Sequence, residues 1–117
     1  MIDDLAGILN RLVNQKDRLQ VRFPEPDIPV PALALKVPFP RLEIVLEGEL
    51  HEQGLPLSAA VLSTSQVLYV QAGKWTLPEW TGPAATLSIL FGRQKLGFCI
   101  QRWDGKKLHT EKQNVAR

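Results

Sequence analysis

The chain reads as a mainly β domain, a small barrel or sandwich preceded by a single amphipathic helix, and three observations predict it. Short apolar runs separated by turn residues recur roughly every 8 to 12 residues from Pro40 onward, the rhythm of many-stranded antiparallel folds. Asp104-Gly105, a strong two-residue hairpin signal, stands between two of these runs. Apolar residues at helical spacing occur only at the N-terminus. The 117 residues suffice for one core, and 44% hydrophobic with 22% charged residues is ordinary globular composition, so neither disorder nor a membrane span is expected.

The elements follow in order. Ile2, Leu5, Leu9 and Leu12, widened by Val13, form one face of a helix over residues 2–15, with Asp3 and Asp4 at its positive end. Leu5, Leu9 and Leu12 are also candidates for pairing with a second subunit, because the stripe is long for the domain it must cover. Leu19-Gln20-Val21-Arg22-Phe23 alternates as a strand does. Six of the nine prolines fall between Pro24 and Pro40, so 24–40 is an extended arm, with a short strand within Ala32–Val37.

Within 41–109 lies the barrel itself. Leu42, Ile44, Leu46 and Leu50 alternate with Glu43, Glu47 and Glu49, which reads as an apolar inner face and a solvated acidic outer face, followed by a turn at Gln53-Gly54. Further strands are expected at Ser58–Leu62, Val67–Gln71, Trp75–Trp80, Thr86–Phe91 and Leu96–Trp103. The same parity points Leu87, Ile89, Phe91, Leu96, Phe98 and Ile100 inward. Lys106–His109 returns from the hairpin, and 110–117 reads as a polar tail.

Few residues offer chemistry. His51 and His109 are far apart in sequence, and neither has a second His or Cys at ligand spacing, so no metal and no other cofactor is expected. His51, beside Glu52, reads as a solvent-exposed histidine near the turn. Cys99 is the single cysteine, set between Phe98 and Ile100 as packing would have it, and with no possible internal disulfide it points to a reducing, cytoplasmic setting. No phosphate-binding glycine pattern occurs. Tyr69, Trp75, Trp80 and Phe91 gather rings near strand ends and are the candidate residues for binding a small organic ligand.

Charge is uneven. Residues 1–91 hold 7 Lys/Arg against 10 Asp/Glu, and 92–117 hold 7 against 2. A DNA-binding face would spread basic residues over a whole surface, which this distribution does not do.

Pro40–Leu50, Leu68–Pro78 and Leu87–Arg93 together resemble the N-terminal cupin-like domain of AraC/XylS-type transcriptional regulators, over roughly residues 40 to 105. In the second cupin motif Ser65 stands at the usual glycine, Gln71 at the proline and Thr76 near the histidine, so the metal ligands are missing. The resemblance implies a jelly-roll domain that senses a small-molecule effector or forms a homodimer. DNA contacts would then come from a C-terminal helix-turn-helix domain absent from this chain, with 110–117 as the start of the linker. Two other readings compete: a metal-free cupin-fold isomerase or epimerase, and a carbohydrate-binding β module that stacks sugars on Trp75 and Trp80. An enzyme would need an acid or base inside the barrel.

Overall fold

A computed structural model of the chain describes residues 2–15, 20–22, 35–53, 61–64 and 66–117. Most of the proline-rich arm, the expected turn at Gln53-Gly54, the start of the Ser58–Leu62 strand and Ser65 lie outside the described residues.

The domain is mainly β, with one helix, α1 (Leu5–Asn14), and ten strands among the described residues. The strands are β1 (Gln20–Arg22), β2 (Leu35–Lys36), β3 (Arg41–Glu47), β4 (Leu50–Gln53), β5 (Val61–Leu62), β6 (Gln66–Val70), β7 (Trp75–Glu79), β8 (Ala84–Phe91), β9 (Lys95–Trp103) and β10 (Leu108–Ala116). They form a six-stranded sheet in the order β1-β6-β3-β8-β9-β10 and a four-stranded sheet in the order β2-β7-β4-β5. All pairings are antiparallel except β1 with β6. The arrangement is jelly-roll-like, and no ladder among the described residues closes it into a full barrel. No helix among the described residues is long and apolar enough to cross a membrane.

The chain passes from the large sheet to the small one between β3 and β4, and Gly48 makes the corner. Its φ is +73°, a left-handed conformation, and a Cβ there would lie 2.5 Å from the Pro83 carbonyl oxygen. The Asp104-Gly105 hairpin is secured by the Asp104 carboxylate, whose Oδ1 accepts from the Lys106 and Lys107 amides at 2.8 and 2.9 Å.

The central strands of the large sheet carry buried residues on both faces, and this corrects the inward parity expected from the sequence. One face carries Ile44, Val67, Leu87, Phe98 and Ile100 against Ile2 and Ile8, with Leu5, Leu9, Leu12, Leu42, Leu46, Ile89 and Leu96 packed around them. The residues expected to fill a barrel therefore lie under the helix. The opposite face meets the small sheet through a second apolar cluster of Val45, Leu50, Leu62, Leu68 and Val70, with Trp80 against it.

At the C-terminal end, 110–117 is not a polar tail. Residues Leu108–Ala116 run as one strand, paired along its length with β9, and Gln113 on it accepts a hydrogen bond from the Ile2 amide at 3.1 Å. Polar residues suit this position because β10 is a sheet edge, exposed along most of its length.

Candidate functional site

The face turned toward the small sheet is polar at its centre, and the strand register shows how the sequence builds it. Glu43 pairs with Leu68 on one side and Ser88 on the other, Ser88 pairs with Cys99, and Cys99 pairs with Lys112. The neighbouring row runs Val70, Arg41, Leu90, Gly97, Asn114. Side chains in one row share a face. Gly97 and Cys99 are small, so β9 leaves space where larger residues would fill it.

That space is a cavity of about 440 Å³, lined by Val37, Phe39 and Leu90 at its apolar wall and by Arg41, Glu43, Ser88 and Gln101 at its floor, with Lys95 and Lys112 also lining it. Deeper between the sheets lies a second, small cavity of about 30 Å³, lined by Glu52, Thr76, Trp80 and Thr86. Glu43, Ser88 and Gln101 line both.

Arg41 is fully buried and joins the two sheets. Its Nη1 pairs with Glu43 Oε1 and its Nη2 donates to Thr76 Oγ1 at 2.8 Å. The Ser88 hydroxyl donates to Glu43 Oε2. Glu43 is thus buried and bonded through both oxygens, which overturns its placement on a solvated outer face; Glu47 and Glu49 are exposed as expected. Burial raises the Glu43 carboxyl above its ordinary range, and the Arg41 guanidinium and the Ser88 hydroxyl act against that rise.

Glu52 reaches the same interior from β4 and is 4% exposed. Its Oε2 has no hydrogen-bond partner among the described residues. Desolvation first, then the nearby Glu43 charge, pushes its carboxyl from an ordinary 4.5 up to about 8, so it is protonated at neutral pH. The interior is therefore not apolar. Among the described residues it holds the Arg41 guanidinium, the Glu43 and Glu52 carboxyls and several hydroxyls, a polar floor beneath apolar walls.

Of the four aromatic candidates, Trp80 is half-buried and lines the inner cavity beside Glu52. Trp75 is buried on β7. Tyr69 and Phe91 are half-buried and share strand parity with Val67 and with Leu87 and Ile89, on the face that carries the helix. The structure does not gather the four at one place. Leu5, Leu9 and Leu12 are half-buried against the large sheet, while Val13 beside them is 60% exposed.

The two histidines are separate. His51 is half-buried within β4 rather than exposed at a turn, and His109 is exposed, its Nε2 2.9 Å from Asp104 Oδ2. No group of three His, Cys, Asp or Glu able to hold a metal occurs among the described residues. Cys99 is half-buried in the larger cavity, and burial raises its thiol above the ordinary value.

Arg41, Glu43 and Glu52 as interior groups are missing from the sequence reading. For Arg41 and Glu43 the signal is a concentration of polar or small residues on one face of three adjacent strands, Arg41 and Glu43, then Thr86 and Ser88, then Gly97, Cys99 and Gln101, interrupted by Val45 and Leu90; Glu52 carries no such signal.

The whole chain is similar to YijO of Escherichia coli (strain K12), an uncharacterized HTH-type transcriptional regulator, with 49% identity over 119 residues. The chain spans 41% of that protein's length. No family model and no solved structure matches the chain.

Proposed function

We propose that this chain is the effector-sensing part of an AraC-type transcriptional regulator, a cupin-like jelly-roll domain whose DNA-binding helix-turn-helix part is not among these 117 residues. The observation that carries the reading is the 49% identity to an HTH-type transcriptional regulator, over all of this chain and 41% of that protein. The interior supports it, because a floor of buried charged and hydroxyl groups beneath apolar walls suits a small organic effector better than it suits structural packing alone. The effector would lie between the sheets, with Trp80 the one aromatic candidate positioned to touch it. A homodimer through α1 fits the exposed Val13 beside Leu5, Leu9 and Leu12. On this reading the protein would work in the cytoplasm and need no cofactor.

The test is a chimaera in which this chain replaces the matching segment of the Escherichia coli relative. The expected result is DNA binding at the relative's own sites by the chimaera, responsive to substitutions in the interior cavity. A chimaera that folds and binds DNA but is indifferent to every cavity substitution would sink the sensing role.

One observation favours an enzyme as the second reading. Glu52 is an interior acid protonated at neutral pH, which is what a general acid requires. A metal-free isomerase would lose its turnover in Glu52→Gln. The carbohydrate-stacking alternative loses half its platform, since Trp75 is buried.

A further inference from the structure

We infer that the interior site takes a small organic cation, a primary amine whose ammonium group docks against Glu52 while its apolar body lies in the larger cavity. The inference rests on the effector-sensing reading and specifies the ligand's chemistry.

Three observations converge on it. Glu52 is buried, its Oε2 has no hydrogen-bond partner among the described residues, and the residue lines a cavity of about 30 Å³. A water needs about 10–15 Å³ of such volume, so the space admits an ammonium-sized group but not the apolar body of a ligand. Around it stand Thr76, Thr86, Ser88 and Gln101, each able to accept a hydrogen bond. An ammonium group has three donors to place and suits this set.

Charge favours a cation over an anion. Arg41 is committed to Glu43 and to Thr76, so the guanidinium and the Glu43 carboxylate answer one another. Glu52 is the buried acid left without its own counter-charge. The charged groups acting on it are Glu43 and Arg41 from β3 and Glu79 from β7, two acids against one base. An anion entering here would meet two carboxyl groups. A metal ion would need a third strong ligand where the guanidinium already sits. The larger cavity shares Glu43, Ser88 and Gln101 with the inner one and offers Val37, Phe39 and Leu90 to an apolar body.

Binding should then move a proton. Glu52 is protonated near neutral pH, and salt-bridging to an ammonium ion requires it to ionise, so its carboxyl proton leaves to solvent as the ion pair forms. Affinity should therefore rise about tenfold per pH unit from 6 to 7 and level off above 8, since one proton is released per ligand bound.

The probes are benzylamine, benzyl alcohol and benzoate, which share a ring and differ in the polar end, titrated calorimetrically into the full chain in two buffers of different ionisation enthalpy. The expected result is that benzylamine binds best, releases about one proton at pH 7, and loses at least about tenfold in affinity, with its proton release, in Glu52→Gln. The two-buffer comparison on the unmodified chain reads the proton without relying on any variant's folding. Benzyl alcohol or benzoate binding as well as the amine would overturn the cation inference while leaving the effector cavity standing. Benzylamine binding without proton release would overturn it too. If none of the three binds, the inference falls, and the regulatory reading stands or falls by the chimaera.

Discussion

Arg41 is the residue on which the interior depends most. Removing one partner of a buried, hydrogen-bonded ion pair leaves the other uncompensated, so Arg41→Met should destabilise the domain by about 3–5 kcal/mol, read as a lower urea midpoint. Restoring charge balance with Arg41→Met and Glu43→Leu together should recover part of the loss. Glu52 makes a separate, pH-dependent contribution. Its folded-state carboxyl sits at about 8 against 4.5, so between those values the folded chain holds a proton that the unfolded chain has released. Stability conferred by that proton is complete below pH 4.5 and is lost progressively as pH rises toward 8. In Glu52→Gln the slope over that window should flatten by on the order of 1 kcal/mol per pH unit, measured by denaturant unfolding at pH 5, 6 and 7. None of this was legible in Glu43 or Glu52 taken alone. An acid alternating with leucines on a strand has a solvated face when the sheet is covered once, and the large sheet is covered twice, by α1 and by the small sheet.

Among the elements, the strands of the C-terminal half were the most legible. Trp75–Glu79, Lys95–Trp103 and the Asp104-Gly105 turn fall where alternation and turn chemistry put them, because antiparallel neighbours joined by short turns carry their signals locally. β10 was not legible, since Thr110 to Asn114 holds no large apolar residue and its place is set by pairing with β9, a tertiary fact. Gly48 carries no local turn signal in the sequence, although it turns the chain between the sheets. Gly48→Ala should cost well over about 1 kcal/mol, because a Cβ there is both conformationally strained and in collision with the Pro83 carbonyl. The helix was legible as an amphipathic stripe, and its leucines pack on the sheet. Leu5→Glu with Leu9→Glu should lower stability by several kcal/mol, judged by thermal unfolding. Sedimentation of the same double variant tests the proposed dimer, and unchanged folding together with unchanged sedimentation would exclude both roles for this face.

For the molecule as a whole, residues 1–91 are acidic on balance, and α1 among the described residues has no basic surface with which to enter a DNA groove. The chain alone should show only weak binding to DNA, without sequence preference and falling steeply with added salt, in an anisotropy titration. Sequence-selective binding at submicromolar concentration by these residues alone would contradict the proposed division of labour.

The cross-strand row Glu43, Ser88, Cys99, Lys112 has one more consequence. Strands in a sheet lie about 4.8 Å apart, so three steps carry the row from an interior carboxyl to a solvent-facing ammonium over roughly 14 Å. Along that line hydrogen-bonding character passes from acceptor through hydroxyl and thiol to cationic donor, from the buried Glu43 and Ser88 to the half-buried Cys99 and the exposed Lys112. The row gives the cavity a direction as well as a shape. Two isomers of equal volume and equal polarity, differing only in which end carries the positive group, would enter with opposite electrostatic alignment, and the domain would tell them apart by head and tail.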